Sequence, residues 1–198
     1  GGTALASVSV SGTSAINTSG ITTNGTQTYT GDVTVGANAV LSTTNANVSF
    51  GGQVNGATVG GESLEITAGT GDVTFGGVVG ATSLLSVVVN SSTTTSFAGN
   101  VTTTGAQDIT AGTIEPSGTH TTTNSGITFT GAVDLQADTV LNTDTGGGNV
   151  SLTSTVDAAT ADAQGLTVTS GSGTISIAGP IDDTRRLAHL RLDSTGGG

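Results

Sequence analysis

Apolar side chains recur at every second position along most of this chain, in short runs separated by Gly, Asn, Ser and Thr. Val, Ile and Leu alternate with Thr and Ser in Gln27 to Val35, Asn47 to Val54, Asp72 to Val79, Thr94 to Val101, Ile127 to Leu135 and Asn149 to Val156. A two-residue period puts alternate side chains on opposite faces of a strand, and β-branched residues suit such a pleated surface. The same reading predicts shorter strands at Leu5 to Val10, Ser14 to Asn17, Ala39 to Thr43, Ser63 to Thr67, Leu84 to Asn90, Thr139 to Asn142, Leu166 to Thr169, Thr174 to Ile181 and Leu187 to Asp193. Gly-Gly, Asn-Gly, Gly-Asp and Gly-Ser steps between them supply turn geometry. No stretch carries a 3.6-residue period, and Ala158 to Gln164 forms at most one helical turn. The pattern predicts an all-β chain.

The pattern also repeats. An apolar hexapeptide occurs three times, at Leu5 to Val10, Leu84 to Val89 and Leu187 to Leu192. Ile21-Thr-Thr-Asn-Gly-Thr-Gln27 returns 80 positions later as Val101-Thr-Thr-Thr-Gly-Ala-Gln107. Later pairs, such as Asn47-Val-Ser-Phe50 with Asn149-Val-Ser-Leu152, lie 102 positions apart. The second copy has therefore gained about 20 residues, between Ala111 and Thr130. This divides residues 1–198 into two imperfect modules, about 1–83 and 84–186, with the start of a third at 187–198.

Two architectures suit such a repeat. In a parallel β-solenoid, coils of about 20 residues lie one on another around a narrow apolar column. In tandem Ig-like β-sandwiches each module would be a separate domain. The gain of about 20 residues favours the solenoid, because one coil can be added without disturbing its neighbours. The expectation is one continuous solenoid, with Phe50, Phe75, Phe97 and Phe129 each in a different coil. The chain starts and stops at nearly the same phase of the module, without an amphipathic helix or a charged cap. That predicts adjoining repeats of a longer chain, or subunits that associate end to end.

Composition narrows the partners. The 33 Gly and abundant Ser and Thr would suit disorder, but the alternating Val, Ile and Thr argue for an ordered chain. The formal net charge of −11 reflects a scarcity of bases: Arg185, Arg186 and Arg191 are the only Lys or Arg residues. No basic patch exists to neutralise phosphates, which argues against nucleic acid. No apolar run approaches the roughly 20 residues of a membrane helix, so membrane insertion of this stretch is not expected. Without Cys there is neither a disulfide nor a thiolate nucleophile.

The phrases Leu5-Ala-Ser-Val-Ser-Val10, Val101-Thr-Thr-Thr-Gly-Ala-Gln107, Gly131-Ala-Val-Asp-Leu135 and Asn149-Val-Ser-Leu152 resemble the repeats of large bacterial surface proteins, the filamentous-haemagglutinin-like adhesins and related autotransporter-type repeat proteins. The resemblance covers essentially the whole chain. It implies a right-handed parallel β-helix, an extracellular or cell-surface location, and a stalk or filament that holds a binding region away from the cell. The family's secretion domain is not among these residues.

Candidate chemistry is sparse, and no catalytic, cofactor-binding or metal-binding residue is assigned. Asp182-Asp183 with Arg185-Arg186 is the densest charged cluster, and an acidic pair beside a base would suit polysaccharide cleavage. With no further acid at a matching coil spacing, it reads instead as a solvated corner, and the chain as a non-enzyme. Asp134, Asp138 and Asp144, and Asp157 with Asp162, raise the possibility of Ca²⁺, although neither set forms an EF-hand loop or the calcium-binding nonapeptide. Thr-x-Thr pairs at Thr28 to Thr30, Thr102 to Thr104 and Thr128 to Thr130 could order water as ice-binding faces do, but their spacing is irregular. His120 and His189 lack a second ligand at metal spacing and read as exposed strand residues. Sequons at Asn17, Asn24, Asn90 and Asn100 are accounted for by the abundance of Asn, Ser and Thr. The leading expectation is a structural segment of an extracellular bacterial adhesin or filament. The alternative is a module that binds carbohydrate or a cell-surface receptor through Ile114 to Thr123.

Overall fold

The computed structural model describes residues 4–123, 125–143 and 145–195, and it is a right-handed parallel β-helix with coils about 21 residues apart. Among these residues there are 23 strands and no helix. Every strand-to-strand register is parallel, as stacked coils require.

Each coil turns through three faces. Face A begins with Val8–Val10, Gln27–Tyr29, Val48–Phe50, Val73–Phe75 and Thr94–Phe97 in coils 1 to 5. Face B runs from Ser14–Ile16 through Val33–Val35, Val54–Gly56, Val79–Leu84, Val101–Thr103, Gly118–Thr122, Thr139–Asn142 and Leu166–Gly171 to Leu190–Ser194 in coil 9. Face C holds Gly20–Thr23, Ala39–Thr43, Ser63–Thr67 and Ser86–Ser91. Two nine-residue strands, Gln107–Glu115 and Ile127–Leu135, then bend across the corner from face C of one coil to face A of the next. They join faces A and C into one 14-stranded sheet, while face B is a 9-stranded sheet. At that bend Gly131 has φ 142°, and a Cβ there would collide with the carbonyl oxygen of Ala111 in the coil beneath. Only glycine accepts both conditions.

The core is a column one side chain wide per face. On face A, Tyr29, Phe50, Phe75 and Phe97 stack with centroids 5.3, 5.2 and 4.9 Å apart and nearly parallel planes. On face C, Leu41, Ile66, Val89, Ile109, Phe129 and Leu152 lie one above the next, all buried. Phe50, Phe75, Phe97 and Phe129 do fall in four different coils, as expected.

Several predicted runs are two strands rather than one. Gln27 to Val35 breaks at Thr30 to Asp32, and Asn47 to Val54 breaks at Gly51 to Gln53, because the chain turns a corner there. Gly20–Thr23 and Gly118–Thr122 were not anticipated: a polar residue takes an inward position in each, Thr23 in the first and both His120 and Thr122 in the second, which hides the apolar period. Ala158 to Gln164 makes one turn, with Ala163 N–H donating to Thr160 O at 3.1 Å.

The inserted stretch between Ala111 and Thr130 spans one coil. Thr110 and Thr130 are register partners on adjacent coils, so the chain leaves and rejoins the same position one level up. The three apolar hexapeptides, by contrast, fall on three different faces: Val8–Val10 on A, Ser86–Ser91 on C and Leu190–Ser194 on B. The sequence repeat falls one face short of a whole number of coils, so each copy begins one face earlier in the turn.

Candidate functional site

The two copies of the Thr-x-Gly-x-Gln pattern build the same corner on different sides of the helix. Thr23 Oγ1 donates to Gly25 O at 2.5 Å, and Thr103 Oγ1 donates to Gly105 O at 2.6 Å. Buried Gln27 then donates through Nε2 to Ile21 O at 3.1 Å and Ser42 O at 3.0 Å, which belong to successive coils. Gln107 does the same with Val101 O at 3.4 Å and Thr121 O at 2.9 Å. Each amide thus holds one coil to the next. Thr122 and Thr143 continue the corner above Thr103, donating to Ser125 O and Gly148 O.

What the glutamine oxygen accepts differs. Tyr29 Oη–H donates to Gln27 Oε1 at 3.2 Å, and burial pushes the phenol up to about 12. At the second corner His120 Nδ1 lies 3.0 Å from Gln107 Oε1. His120 is not the exposed strand residue expected from sequence: it is fully buried on face B, edge-on to Phe97 at 5.1 Å and to Phe129 at 5.6 Å. Pro116 stands where the next aromatic of face A would be, and the imidazole fills the gap between Phe97 on face A and Phe129 on face C. Its burial shows in sequence only through register, since it lies above Val101 and below Leu141. Burial pushes the imidazole down to about 3.

The outward positions of face A form one rank. Ser9, Thr28, Ser49, Thr74 and Ser96 are consecutive partners, followed by Glu115 and then by the Asp134 and Asp157 pair. Burial, then Asp134 and Asp72, raises the Glu115 carboxyl above its usual range. Asp134 accepts from Arg185 Nη2 at 2.8 Å. Asp157 is buried, which raises its carboxyl. Bonds to its Oδ1 from the N–H groups of Thr184 at 3.0 Å and Arg185 at 3.3 Å, with the Thr184 hydroxyl and the Arg185 charge, outweigh that and hold it below the ordinary range.

This arrangement corrects the view that no acid lies at coil spacing from the Asp182 to Arg186 cluster. Arg185 reaches down to Asp134 two coils below, and Asp157 caps the loop from the coil between. Asp182 has φ 62° and accepts from Leu187 N–H at 2.6 Å, while Asp183 is exposed. The cluster closes a loop onto the body of the helix.

The remaining candidates are dispersed. Asp138 accepts from Gly165 N–H at 2.8 Å, Asp162 pairs with Arg186 at 2.7 Å on the surface, and Asp144 lies outside the described residues. No group of three or more His, Asp or Glu side chains among the described residues is placed to hold a metal ion. His189 is exposed. The Thr-x-Thr pairs fall on different faces, Thr28 on A, Thr102 on B and Thr128 on C. Asn100 Oδ1 accepts from Thr119 N–H at 2.9 Å, and Asn90 Nδ2 donates to Glu65 at 2.6 Å. No described helix is long and apolar enough to cross a membrane. No protein-family model matches this chain, and no curated protein or solved structure shows significant similarity to it.

Proposed function

We propose that this chain is a structural repeat segment of an extracellular bacterial adhesin or filament, a rigid spacer that carries attachment functions away from a surface. One observation carries the reading: about nine coils stack in parallel, with only local register shifts, around a continuous buried column. Such a stack has nearest-neighbour cooperativity and a length set by coil number, roughly 40 Å here at about 4.8 Å per coil. The exterior of hydroxyls and scattered acids keeps the rod soluble. Surface location and the adhesin assignment rest on the repeat phrases quoted above.

A second reading, binding of carbohydrate or a cell-surface receptor, draws on the inserted coil, which places Glu115 between the Ser and Thr positions of its rank and the Asp134 and Asp157 pair. One experiment separates the two. Purified chain and a variant lacking residues 111–130 are presented to polysaccharides and whole cells in a saturation-binding assay. A spacer binds neither saturably. Saturable binding that disappears with the deletion overturns the spacer reading and establishes the binding module.

A further inference from the structure

The corner network fixes which nitrogen of the neutral His120 ring carries the proton. Gln107 Nε2 has three acceptors around it: Val101 O, Thr121 O and Thr103 Oγ1, whose own proton goes to Gly105 O. Its amide therefore presents Oε1, an acceptor, to the imidazole, so Nδ1 must be the donor of the 3.0 Å bond. Nε2 is then a bare lone pair, and it has no hydrogen-bond partner. Phe97 and Phe129 flank the ring, and the strands packed on it bring no charge to it. Asp108 and Glu115 on Gln107–Glu115, and Asp134 on Ile127–Leu135, alternate with buried neighbours and occupy outward positions. Thr94–Phe97, Val101–Thr103 and Thr139–Asn142 contain no titratable side chain.

We propose that coil 6 is an acid-sensitive joint: a proton taken up at His120 Nε2 has no acceptor inside the helix, so protonation expels the ring and opens this coil ahead of its neighbours. Two features localise the response. The ring occupies the point where the aromatic column passes from face A to faces B and C, and Gln107 joins coil 5 to coil 6 at the same place. The equivalent oxygen in coil 2 is served by Tyr29, which stays neutral throughout the relevant range.

The sign follows from linkage. A histidine whose folded pKa is depressed leaves stability intact above about 6.5, and that stability is lost as pH falls from there toward about 3. Between pH 7 and pH 5 the opening equilibrium of coil 6 is expected to rise about 25-fold, in a window where most carboxylates do not titrate.

Two measurements test this. Histidine ring ¹⁵N NMR on the intact chain should show His120 as the Nδ1–H tautomer and still neutral at pH 5. An Nε2–H tautomer, or a His120 titration near 6.5, overturns the proposal. Amide hydrogen exchange, corrected for intrinsic rates, should show the 25-fold rise in residues 113–130 but not in coils 1 to 3. His120→Phe should flatten it. Equal acceleration in all coils, or an unchanged response in the variant, overturns the proposal as well.

Discussion

At the scale of single residues, the least conspicuous side chains hold the most bonds. Gln107 satisfies two backbone carbonyls from adjacent coils and orients an imidazole, all inside a core otherwise made of aliphatic and aromatic groups. Gln107→Leu keeps the volume but removes the amide's bonds to those carbonyls and leaves the buried His120 N–H without an acceptor, and is expected to cost roughly 1–3 kcal/mol in denaturant unfolding. Phe75→Ala removes a ring stacked on both sides and is expected to cost about 3–5 kcal/mol in the same measurement. The two effects have different origins, and only the second was legible in advance. Phe in an alternating run signals a core position, and all four Phe proved buried. Gln and His in such a run carry the opposite signal. Their burial depends on which carbonyls the turn exposes, a fact of three-dimensional register that no local pattern contains.

The coil is the element that evolution of length has worked with here. Because Thr110 and Thr130 are register partners, excising residues 111–130 joins Thr110 to Gly131 at an equivalent point and removes one coil without altering the path. The deletion variant is expected to fold to a rod shorter by about 4.8 Å, with a melting temperature within several degrees of the parent. Small-angle scattering and thermal unfolding check both parts, and an aggregated or unfolded product would contradict coil independence. The approximate coil length and the inserted coil were legible because hydrogen-bonded stacking forces a near-constant contour per turn. The face of each repeat was not. Hexapeptides alike in sequence lie on faces A, C and B, and the Thr-x-Gly-x-Gln corner likewise closes both from C to A and from B to C. Sequence similarity therefore reports the corner and says nothing of its azimuth.

At the scale of the whole molecule, charge decides how rods meet. The formal net charge is −11, acids are spread along the length, and all three Arg lie at 185, 186 and 191, each within reach of an Asp. At neutral pH, neighbouring rods repel along their full contact line, although each carries a flat rank of Ser9, Thr28, Ser49, Thr74 and Ser96 whose hydroxyls could otherwise meet. Repulsion between surface charges reaches only about a Debye length, roughly 10 Å at 0.1 M salt, so it acts at contact distance and is weakened by salt. The isoelectric point read from the sequence is about 4.1, and burial, then Asp134 and Asp72, raises the Glu115 carboxyl. Side-by-side association is therefore expected to set in steeply between about pH 5 and 4 at low salt, and to reverse on neutralisation. Light scattering follows the association, while circular dichroism on the His120→Phe variant separates it from acid opening of coil 6. Replacing the three Arg by Gln removes the only permanent positive charges, lowers the isoelectric point, and should move the scattering onset to more acid pH. An onset that stays in place would mean that association follows a local contact and is independent of net charge.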